Sequence, residues 1–380
     1  MSQHPRFLLA RLRSAPAAPA LLGYAAVRLI GMVVLAIAAA ATGKDGLHRL
    51  KGRWDAVWYV RIAENGYGYE VTLPDHSVHS DLAFFPLLPA LERGVSEALP
   101  FLDAATAGLV IAWVAAFGAA WGIYAVGAQV AGHRAGVLLA VLWGVYPTAF
   151  VQSMAYTETV FTAFAAWSLY ALLNGRWITA GALCAFAGLT RPSAAALVMA
   201  IGITALVCLV RGGFGSLTWR MAAGVVLASL GWLGYVVFVA VREGSPTAYF
   251  EVQAAWGNNI DGGAALARFV GKQLTGAAPL AGVGLIAALG LLGWLVWLCV
   301  RQRQPLPVLV YAIGIVVISL IGAAYFGSRP RLIMPAFPML LPPAAALARI
   351  RPRWSTTVLG VLAVASGVCG AFTLLGSGPP

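Results

Sequence analysis

The chain has 380 residues, of which 61% are hydrophobic and only 10% are charged, and its mean hydropathy is +0.83. A soluble domain carries about 25% charged residues, so this composition excludes a water-soluble globular protein. The net charge of +12 could indicate a nucleic-acid partner, but the basic residues do not cluster with aromatic residues in polar segments. We therefore predict an all-α, polytopic membrane protein that contacts membrane lipids and binds no nucleic acid.

Apolar stretches long enough to cross a bilayer, which takes about 20 helical residues, recur along the chain. Eleven spans fit the pattern, at approximately residues 18–42, 104–131, 135–152, 156–174, 177–190, 193–210, 220–241, 276–300, 306–327, 332–348 and 355–375. The first follows Arg6, Arg11 and Arg13, as the apolar part of a signal peptide would. It is longer than the roughly 7–15 residues of that part, so we predict an uncleaved first span.

The charges between these spans differ on the two sides of the membrane. With the N-terminus inside, the inner loops hold twelve arginines and no acidic residue, whereas the outer segments hold twelve basic residues and all 13 acidic residues. The count of basic residues alone does not choose a side, and the absence of acids from the short inner loops decides the orientation. Short cytoplasmic loops favour basic residues, which predicts a protein of the cell (cytoplasmic) membrane in this orientation. Residues 1–380 then form one transmembrane domain with two long outer segments, 43–103 and 243–275, and nine of the acidic residues lie in the first.

Polar and aromatic residues concentrate in the sequence RWDAVWYVRIAENGY at residues 53–67. In a helix, Asp55 and Tyr59 share one face, which predicts an amphipathic helix along the outer membrane surface that ends at Gly66. Asp55 has two interpretations. It is either a first-turn residue favoured by the helix dipole or by Arg53, or a general base at a membrane-embedded pocket.

Three further elements carry candidate polar chemistry. Residues 82–89, LAFFPLLP, contain two prolines that should prevent a regular helix and predict a re-entrant or interfacial turn, with Phe84 and Phe85 in lipid or under the preceding helix. Glu158 begins the fourth span, either because the helix dipole favours an acid there or because its carboxylate faces an outer cavity. Residues 75–81, DHSVHSD, could ligate a metal, but a polar loop is the simpler interpretation, and we expect no metal or other cofactor.

Four arginines are predicted inside the membrane or at its outer edge, where a guanidinium needs a partner. They are Arg28, Arg191, Arg329 and Arg331. The partner is a phosphate gripped through two hydrogen bonds, a carboxylate, or the lipid headgroups. These alternatives stay open for Arg191, whereas the turn with Arg329 and Arg331 favours phosphate. The chain has no Asp-x-Asp, Walker A or HExxH pattern, which argues against a nucleotide-sugar enzyme, an ATPase and a metalloprotease.

In their order and sidedness these segments resemble the signature of the PIG-V type (GPI mannosyltransferase II-like) family, here in a bacterial member. The resemblance runs from about residue 24 to residue 340 and rests on RWD at 53–55 with Tyr59 and Tyr67, FFPL at 84–87, YTE at 156–158, TRPS at 190–193 and RLIMP at 331–335. It implies a GT-C type glycosyltransferase fold with about 11 transmembrane helices. Members of that superfamily have an acidic residue in the first outer loop and use a polyprenyl-phosphate sugar donor.

The implied reaction moves a mannosyl residue from a polyprenyl phosphate to a hydroxyl of an extracytoplasmic glycan, glycolipid or protein, with inversion and with Asp55 as general base. The resemblance implies that arginines neutralise the leaving phosphate without a metal. The candidate substrate-binding residues are Arg28, Arg53, Trp54, Tyr59, Tyr67, Asp81, Glu158, Arg191, Arg329 and Arg331. The alternatives are a transporter or flippase of lipid-linked glycans, which more often shows inverted repeats and mid-membrane acids, and a non-catalytic assembly subunit.

Overall fold

The structure is a computed structural model and describes residues 16–73, 76–323 and 325–377. Within these residues the chain is helical apart from one two-stranded hairpin, so the predicted all-α class is confirmed. Arg6, Arg11, Arg13 and Asp75, which entered the orientation and metal arguments, lie outside the described residues.

In chain order the α-helices of the described residues are α1 (Ala18–Thr42), α2 (Gly46–Lys51), α3 (Asp55–Asn65), α4 (Leu87–Ala98), α5 (Ala104–Ala131), α6 (His133–Gly144), α7 (Thr157–Leu173), α8 (Trp177–Gly188), α9 (Ala195–Gly212), α10 (Trp219–Glu243), α11 (Ala248–Ala255), α12 (Ala264–Thr275), α13 (Pro279–Arg301), α14 (Leu306–Ile321), α15 (Arg329–Ile333), α16 (Leu341–Arg349) and α17 (Pro352–Leu375). Strands β1 (Glu70–Thr72) and β2 (Val78–Ser80) pair antiparallel, an element that the sequence did not predict. Short 3₁₀ turns occupy Asp81–Ala83, Ala149–Ser153, Pro192–Ala194, Phe214–Ser216, Phe326–Ser328 and Phe337–Leu340.

Six helices of the described residues are long and apolar enough to cross a membrane, namely α1, α5, α9 with its preceding turn, α10, α13 and α17. Two other predicted spans, α8 and α14, are shorter apolar helices. The predicted span 332–348 belongs to a helix pair, Phe326–Ile333 and Phe337–Arg349, that bends by 76°. The chain is thus a multi-pass membrane protein, while the number eleven and the membrane-surface location of α3 stay predictions.

The predicted third span, 135–152, is not one helix. Helix α6 ends at Gly144, and a buried irregular segment follows until α7 begins. Non-helical backbone at membrane depth is tolerated where protein groups satisfy its hydrogen bonds. Here Arg28 Nη1 donates to the carbonyl of Gly144 (3.3 Å) and Ser366 Oγ donates to the carbonyl of Tyr146 (2.8 Å). Side chains of α1 and α17 therefore support the break.

Contacts group the predicted outer segments at one end of the helices and predicted inner loops at the other. Trp256 Nε1 donates to the carbonyl of Ser80 (3.0 Å), which joins the second long segment to the first. At the opposite end, Arg134 Nη2 donates to the carbonyl of Ile350 (2.6 Å), which joins two predicted inner loops. This grouping agrees with the alternation of sides that the sequence predicts.

Helix α4 carries an acidic residue that is fully buried. Glu92 is 0% exposed and faces Gly108 of α5, where any side chain would collide with the carboxyl group. Neither carboxyl oxygen has a hydrogen-bond partner among the described residues. Desolvation, with a smaller contribution from the charge of Glu64, raises the pKa of Glu92 to about 9. At neutral pH the folded protein therefore holds a proton on Glu92, whereas the unfolded chain has already released it.

We expect Glu92→Gln to stabilise the protein at about pH 8 and to have a much smaller effect near pH 5. Between the unfolded and folded pKa values the native state holds the extra proton, so its stability falls by about 1.4 kcal/mol per pH unit as the pH rises. Glutamine has no such proton and removes this slope. Thermal melts of the detergent-solubilised protein measure the effect.

The matched control for this variant is Glu97→Gln. Glu97 lies on the exposed side of the same helix and pairs with Arg93 (2.9 Å), so its replacement should leave the pH dependence of the melting temperature unchanged. A Glu92→Gln protein with the wild-type pH dependence would contradict a neutral buried acid at this position.

Candidate active site

Asp55 is the first residue of α3 and follows a tight turn at Trp54, whose φ of 54° is unusual for a bulky residue. The hydroxyl of Tyr156 bridges this turn. It accepts a hydrogen bond from the Asp55 backbone N–H (3.1 Å) and donates to the carbonyl of Arg53 (3.4 Å). Helix α3 ends at Gly66, as predicted, with a positive φ of 75°. The start of α3 is thus attached to the residue that precedes α7.

Four charged side chains from distant parts of the chain meet at this point. Arg331 Nη1 lies 2.8 Å from Asp55 Oδ2, and Arg331 Nε lies 3.3 Å from Glu158 Oε1. Arg191 Nη1 forms an ion pair with the same oxygen of Glu158. We call Asp55, Glu158, Arg191 and Arg331 the charge cluster. Its two carboxylates balance its two guanidinium groups.

The members of the charge cluster differ in exposure. The side chain of Glu158 is 1% exposed and that of each arginine is 10% exposed, whereas Asp55 is 29% exposed. A buried charge needs compensation by an opposite charge, and Glu158 provides it for both arginines. Asp55 is therefore the carboxylate of the cluster that an incoming molecule can reach.

Uncharged hydroxyl groups lie next to the charge cluster. Thr157 Oγ1 accepts a hydrogen bond from Arg191 Nη1 (3.3 Å) and lies 3.3 Å from Tyr59 Oη. Burial, and then the negative charge of Asp55, raises the pKa of Tyr59, which keeps its hydroxyl protonated. The sequence indicated Tyr59 as a site residue but missed Tyr156 and Thr157. The signal was present, because both belong to the YTE motif from which only Glu158 was selected.

Two of the predicted phosphate-binding arginines lie outside the charge cluster. Arg329 donates from both Nη atoms to the carbonyls at the end of α14, those of Ser319 (3.2 Å), Leu320 (2.9 Å) and Gly322 (2.7 Å). Arg28 caps α6 in a similar way, and its Nη2 also donates to Ser153 Oγ (2.6 Å). Cations at carboxyl-terminal helix ends are stabilised by the helix dipole and by carbonyls that lack helical partners. In the structure both arginines therefore cap the carboxyl-terminal ends of helices.

Arg53 and Asp81 also make backbone contacts in place of facing the charge cluster. The guanidinium of Arg53 donates to the carbonyls of Leu374 and Gly376 at the end of α17. Asp81 is 0% exposed and accepts hydrogen bonds from the backbone N–H groups of Gly68 and Tyr69. Asp81 thus shapes the loop after α3, and the structure does not bring it into contact with the charge cluster.

Trp54 and Tyr67 lie near the charge cluster, and their hydrogen-bond and ring contacts are with residues outside it. The Trp54 ring lies under the guanidinium of Arg53, 4.1 Å from ring centroid to Cζ. Tyr67 Oη donates to the carbonyl of Phe84 (2.8 Å). Both residues organise the protein backbone around α3, so a direct role for them in substrate binding stays a prediction.

The FFPLLP segment packs against α3. Phe84 stacks on Trp58 and meets Tyr59 edge to face, with centroid distances of 5.4 Å for both pairs. The predicted packing under the Asp55 helix is therefore confirmed for Phe84. Our prediction that the two prolines prevent a regular helix is wrong, because α4 begins at Leu87 and Pro89 falls in its first turn. Backbone N–H groups of a first turn have no helical partner, so proline is tolerated there.

The histidine-containing loop provides no metal site among the described residues. Within residues 16–73, 76–323 and 325–377, no group of three His, Cys, Asp or Glu side chains is arranged to hold a metal ion. Asp75 of the predicted alternative lies outside these ranges.

Two solved structures share this architecture. The crystal structure of ArnT from Cupriavidus metallidurans bound to undecaprenyl phosphate superposes with a TM-score of 0.55 at 17% identity, covering 89% of this chain and 62% of that chain. The structure of the same protein in the apo state gives a TM-score of 0.52 at 19% identity, with coverages of 82% and 57%. The chain thus spans about three fifths of the length of these relatives. This likeness shows that the chain shares the fold of ArnT.

The family follows from the sequence itself. A family model described as mannosyltransferase (PIG-V) matches residues 37–227, half of the chain, and the protein belongs to this family. The matched region includes Asp55, Glu158 and Arg191, whereas Arg331 lies beyond it. No curated protein sequence matches the chain significantly.

Proposed function

We propose that this membrane glycosyltransferase moves a mannosyl residue from polyprenyl-phosphate mannose to an extracytoplasmic acceptor hydroxyl, with inversion and with Asp55 as general base. The observation that carries the proposal is the charge cluster, in which the most exposed carboxylate, Asp55, lies beside a buried guanidinium. Mannose is suggested by the family match. A polyprenyl-phosphate donor is suggested by ArnT, which has the same fold and binds undecaprenyl phosphate.

The proposed reaction is a single displacement. The acceptor oxygen forms a bond to the anomeric carbon while the bond from that carbon to the phosphate oxygen breaks, and the electron pair leaves with the phosphate. The acceptor proton passes to the carboxylate of Asp55. This proton becomes acidic only as the new carbon–oxygen bond forms, so a carboxylate in place at that moment lowers the barrier.

Arginines of the charge cluster would stabilise the leaving phosphate. Charge-assisted hydrogen bonds from guanidinium to phosphate are stronger than neutral ones, and donors fixed in a buried site stabilise developing charge without reorganising. Arg331 already lies between Asp55 and Glu158, and Arg191 shares Glu158. The cluster is neutral until Asp55 takes up the acceptor proton, after which it has a net charge of +1 that stabilises the leaving phosphate. We therefore expect transfer to need no metal.

The test is a reaction of purified protein with polyprenyl-phosphate mannose and candidate membrane acceptors, followed by mass spectrometry of the products. We expect a mannosylated acceptor with inverted anomeric configuration and free polyprenyl phosphate. If no transfer occurs and reconstituted vesicles instead move a lipid-linked glycan across the bilayer, the transporter alternative replaces this proposal. A protein that neither transfers nor transports would favour the assembly-subunit alternative.

We further propose that the protein lies in the cell (cytoplasmic) membrane with its N-terminus inside, so that residues 43–103 and 243–275 are the two long outer loops around an extracytoplasmic site. The support is that every acidic residue of the sequence falls on that side when the chain is traced through the eleven predicted spans. A donor carried by a lipid is available at an outer face, where cytoplasmic nucleotide sugars are not.

Cysteine accessibility tests this orientation. We expect a cysteine at Thr72, which is exposed on β1, to react with a membrane-impermeant thiol reagent in intact cells, and one at Gln302 to react only after permeabilisation. The exposed Cys208 and Cys369 must first be replaced, whereas Cys184 and Cys299 are buried. The reverse labelling pattern would place the charge cluster on the inner side.

A further inference from the structure

The turn before Asp55 is strained. Trp54 has a φ of 54° and a ψ of −120°, a backbone conformation that glycine adopts freely and that other residues rarely adopt. Such conformations persist only where the surrounding structure enforces them, and they cluster at functional sites. Trp54 directly precedes the most exposed carboxylate of the charge cluster, so the groups that enforce its conformation also decide where Asp55 points.

Tyr156 holds the turn from one side. Its hydroxyl contacts the carbonyl of Arg53 on one flank of Trp54 and the N–H of Asp55 on the other. One atom thus fixes the distance between the two peptide groups that enclose Trp54. Tyr156 is 1% exposed, so packing allows this hydroxyl little freedom to move.

Arg53 holds the turn from the other side and connects it to the last helix. Its guanidinium covers the Trp54 ring and donates to the carbonyls of Leu374 and Gly376. Lys44 and Arg49 reach the same helix end, at the carbonyls of Leu375 (2.6 Å) and Leu374 (3.2 Å). Three cations therefore gather at the negative end of the α17 dipole. Of these three, Arg53 is the one that also covers the strained residue.

We propose that Arg53 and Tyr156 are positioning residues that keep the Trp54 turn in its positive-φ conformation and thereby hold Asp55 beside Arg331. The inference rests on the proposed function of Asp55 and replaces a substrate-binding role for Arg53, whose guanidinium is engaged by backbone carbonyls. If Trp54 relaxed to a negative φ, the first turn of α3 would leave in another direction and Asp55 would move from the charge cluster.

The first test compares Arg53→Ala with Arg49→Ala. Both arginines donate to the carbonyl of Leu374, but Arg49 precedes the turn and makes no contact with the Trp54 ring. We expect Arg53→Ala to lower kcat about 10- to 100-fold with little change in the donor KM, because a misplaced base slows the chemical step without weakening donor binding. Arg49→Ala should keep the wild-type kcat. Tyr156→Phe, which removes only the hydroxyl, should act in the same direction as Arg53→Ala.

A second measurement needs no activity. Hydrogen exchange of the backbone amides at the start of α3 should be faster in Arg53→Ala and Tyr156→Phe than in the wild type, and unchanged in Arg49→Ala. If the wild-type protein transfers no mannose, the proposed function fails, and this comparison still decides whether Arg53 and Tyr156 fix α3.

Trp54→Gly separates positioning from general stability. Glycine adopts the φ of this turn without strain but adopts negative φ values as readily. The melting temperature should therefore change little, while kcat falls because Arg53 no longer has a ring through which to confine the turn. Two results would overturn the proposal. One is that Arg49→Ala and Arg53→Ala lose kcat and amide protection to the same extent, together with an equal loss of thermal stability. The other is a wild-type kcat in Trp54→Gly.

Discussion

Asp55→Asn is expected to slow mannosyl transfer by about 10²- to 10⁴-fold, the contribution of a well-placed general base. Asparagine has nearly the same shape, and its amide oxygen still accepts a hydrogen bond from Arg331, so the charge cluster should stay assembled. What the amide cannot do is take up the acceptor proton. Turnover of purified protein with polyprenyl-phosphate mannose measures the effect, and donor binding measured separately should change little.

The matched control for this experiment is Asp45→Asn. Asp45 lies in the same outer segment and caps α2 by accepting a hydrogen bond from the His48 N–H (2.9 Å), so its replacement alters a helix start without touching the charge cluster. Its turnover should stay near that of the wild type. Wild-type transfer in Asp55→Asn would remove Asp55 from the catalytic role and leave the only other acid of the cluster, Glu158, as the remaining candidate.

Arg331→Lys is expected to lower kcat/KM for the donor by about 10²- to 10³-fold, as the loss of a fixed donor to developing charge does. Lysine keeps the positive charge but lacks the planar fork of donors. Arg331 uses this fork to contact Asp55 and Glu158 together, and a single ammonium group cannot hold the same arrangement and also bind a phosphate. Initial rates over a range of donor concentrations give the value.

Lysine is preferred here to alanine. Removing one partner of a buried ion pair costs about 3–5 kcal/mol, so an Arg331→Ala protein could lose activity through misfolding. The control is Arg329→Lys, two residues away on α15, where the arginine contacts backbone carbonyls at the end of α14. This variant should lower the melting temperature and leave the donor KM unchanged. Equal kinetic losses in the two variants would contradict a special role for Arg331.

The sequence was most informative about helices and about the residues that form ion pairs. The apolar runs located α1, α5, α10 and α17 to within a few residues of their observed ends. The motifs selected four residues that the structure brings together from positions far apart in the chain, namely Asp55, Glu158, Arg191 and Arg331.

The partners of the other arginines could not be predicted. Arg28, Arg53 and Arg329 have the same side chain as Arg191 and Arg331, yet each contacts backbone carbonyls near a helix end. Every residue has a backbone carbonyl group, so the sequence does not indicate which carbonyl will accept a hydrogen bond from a given arginine. Only the packing of distant helices decides which helix ends lie within reach of which arginine.

Broken and short elements were missed for a related reason. The run 135–152 is mostly apolar, so its hydropathy does not reveal that helical hydrogen bonding stops after Gly144 and that side chains of other helices replace it. Pro147 was the available signal, because proline disrupts a helix interior. The β1–β2 hairpin has only three residues in each strand, too few for a periodic pattern. Pro89 looked like a helix breaker because its place in a first turn depends on where α4 begins.

The attachment of Arg53 to the end of α17 has a consequence for biosynthesis. The segment that carries Asp55 emerges from the ribosome before α17, because the carbonyls of Leu374 and Gly376 that hold Arg53 lie 321 and 323 residues further along the chain. A nascent chain that has inserted only its first helices thus has Asp55 without the contacts that hold Arg53. If Asp55 and Arg53 act as proposed, we expect the protein to become active only after α17 has entered the membrane.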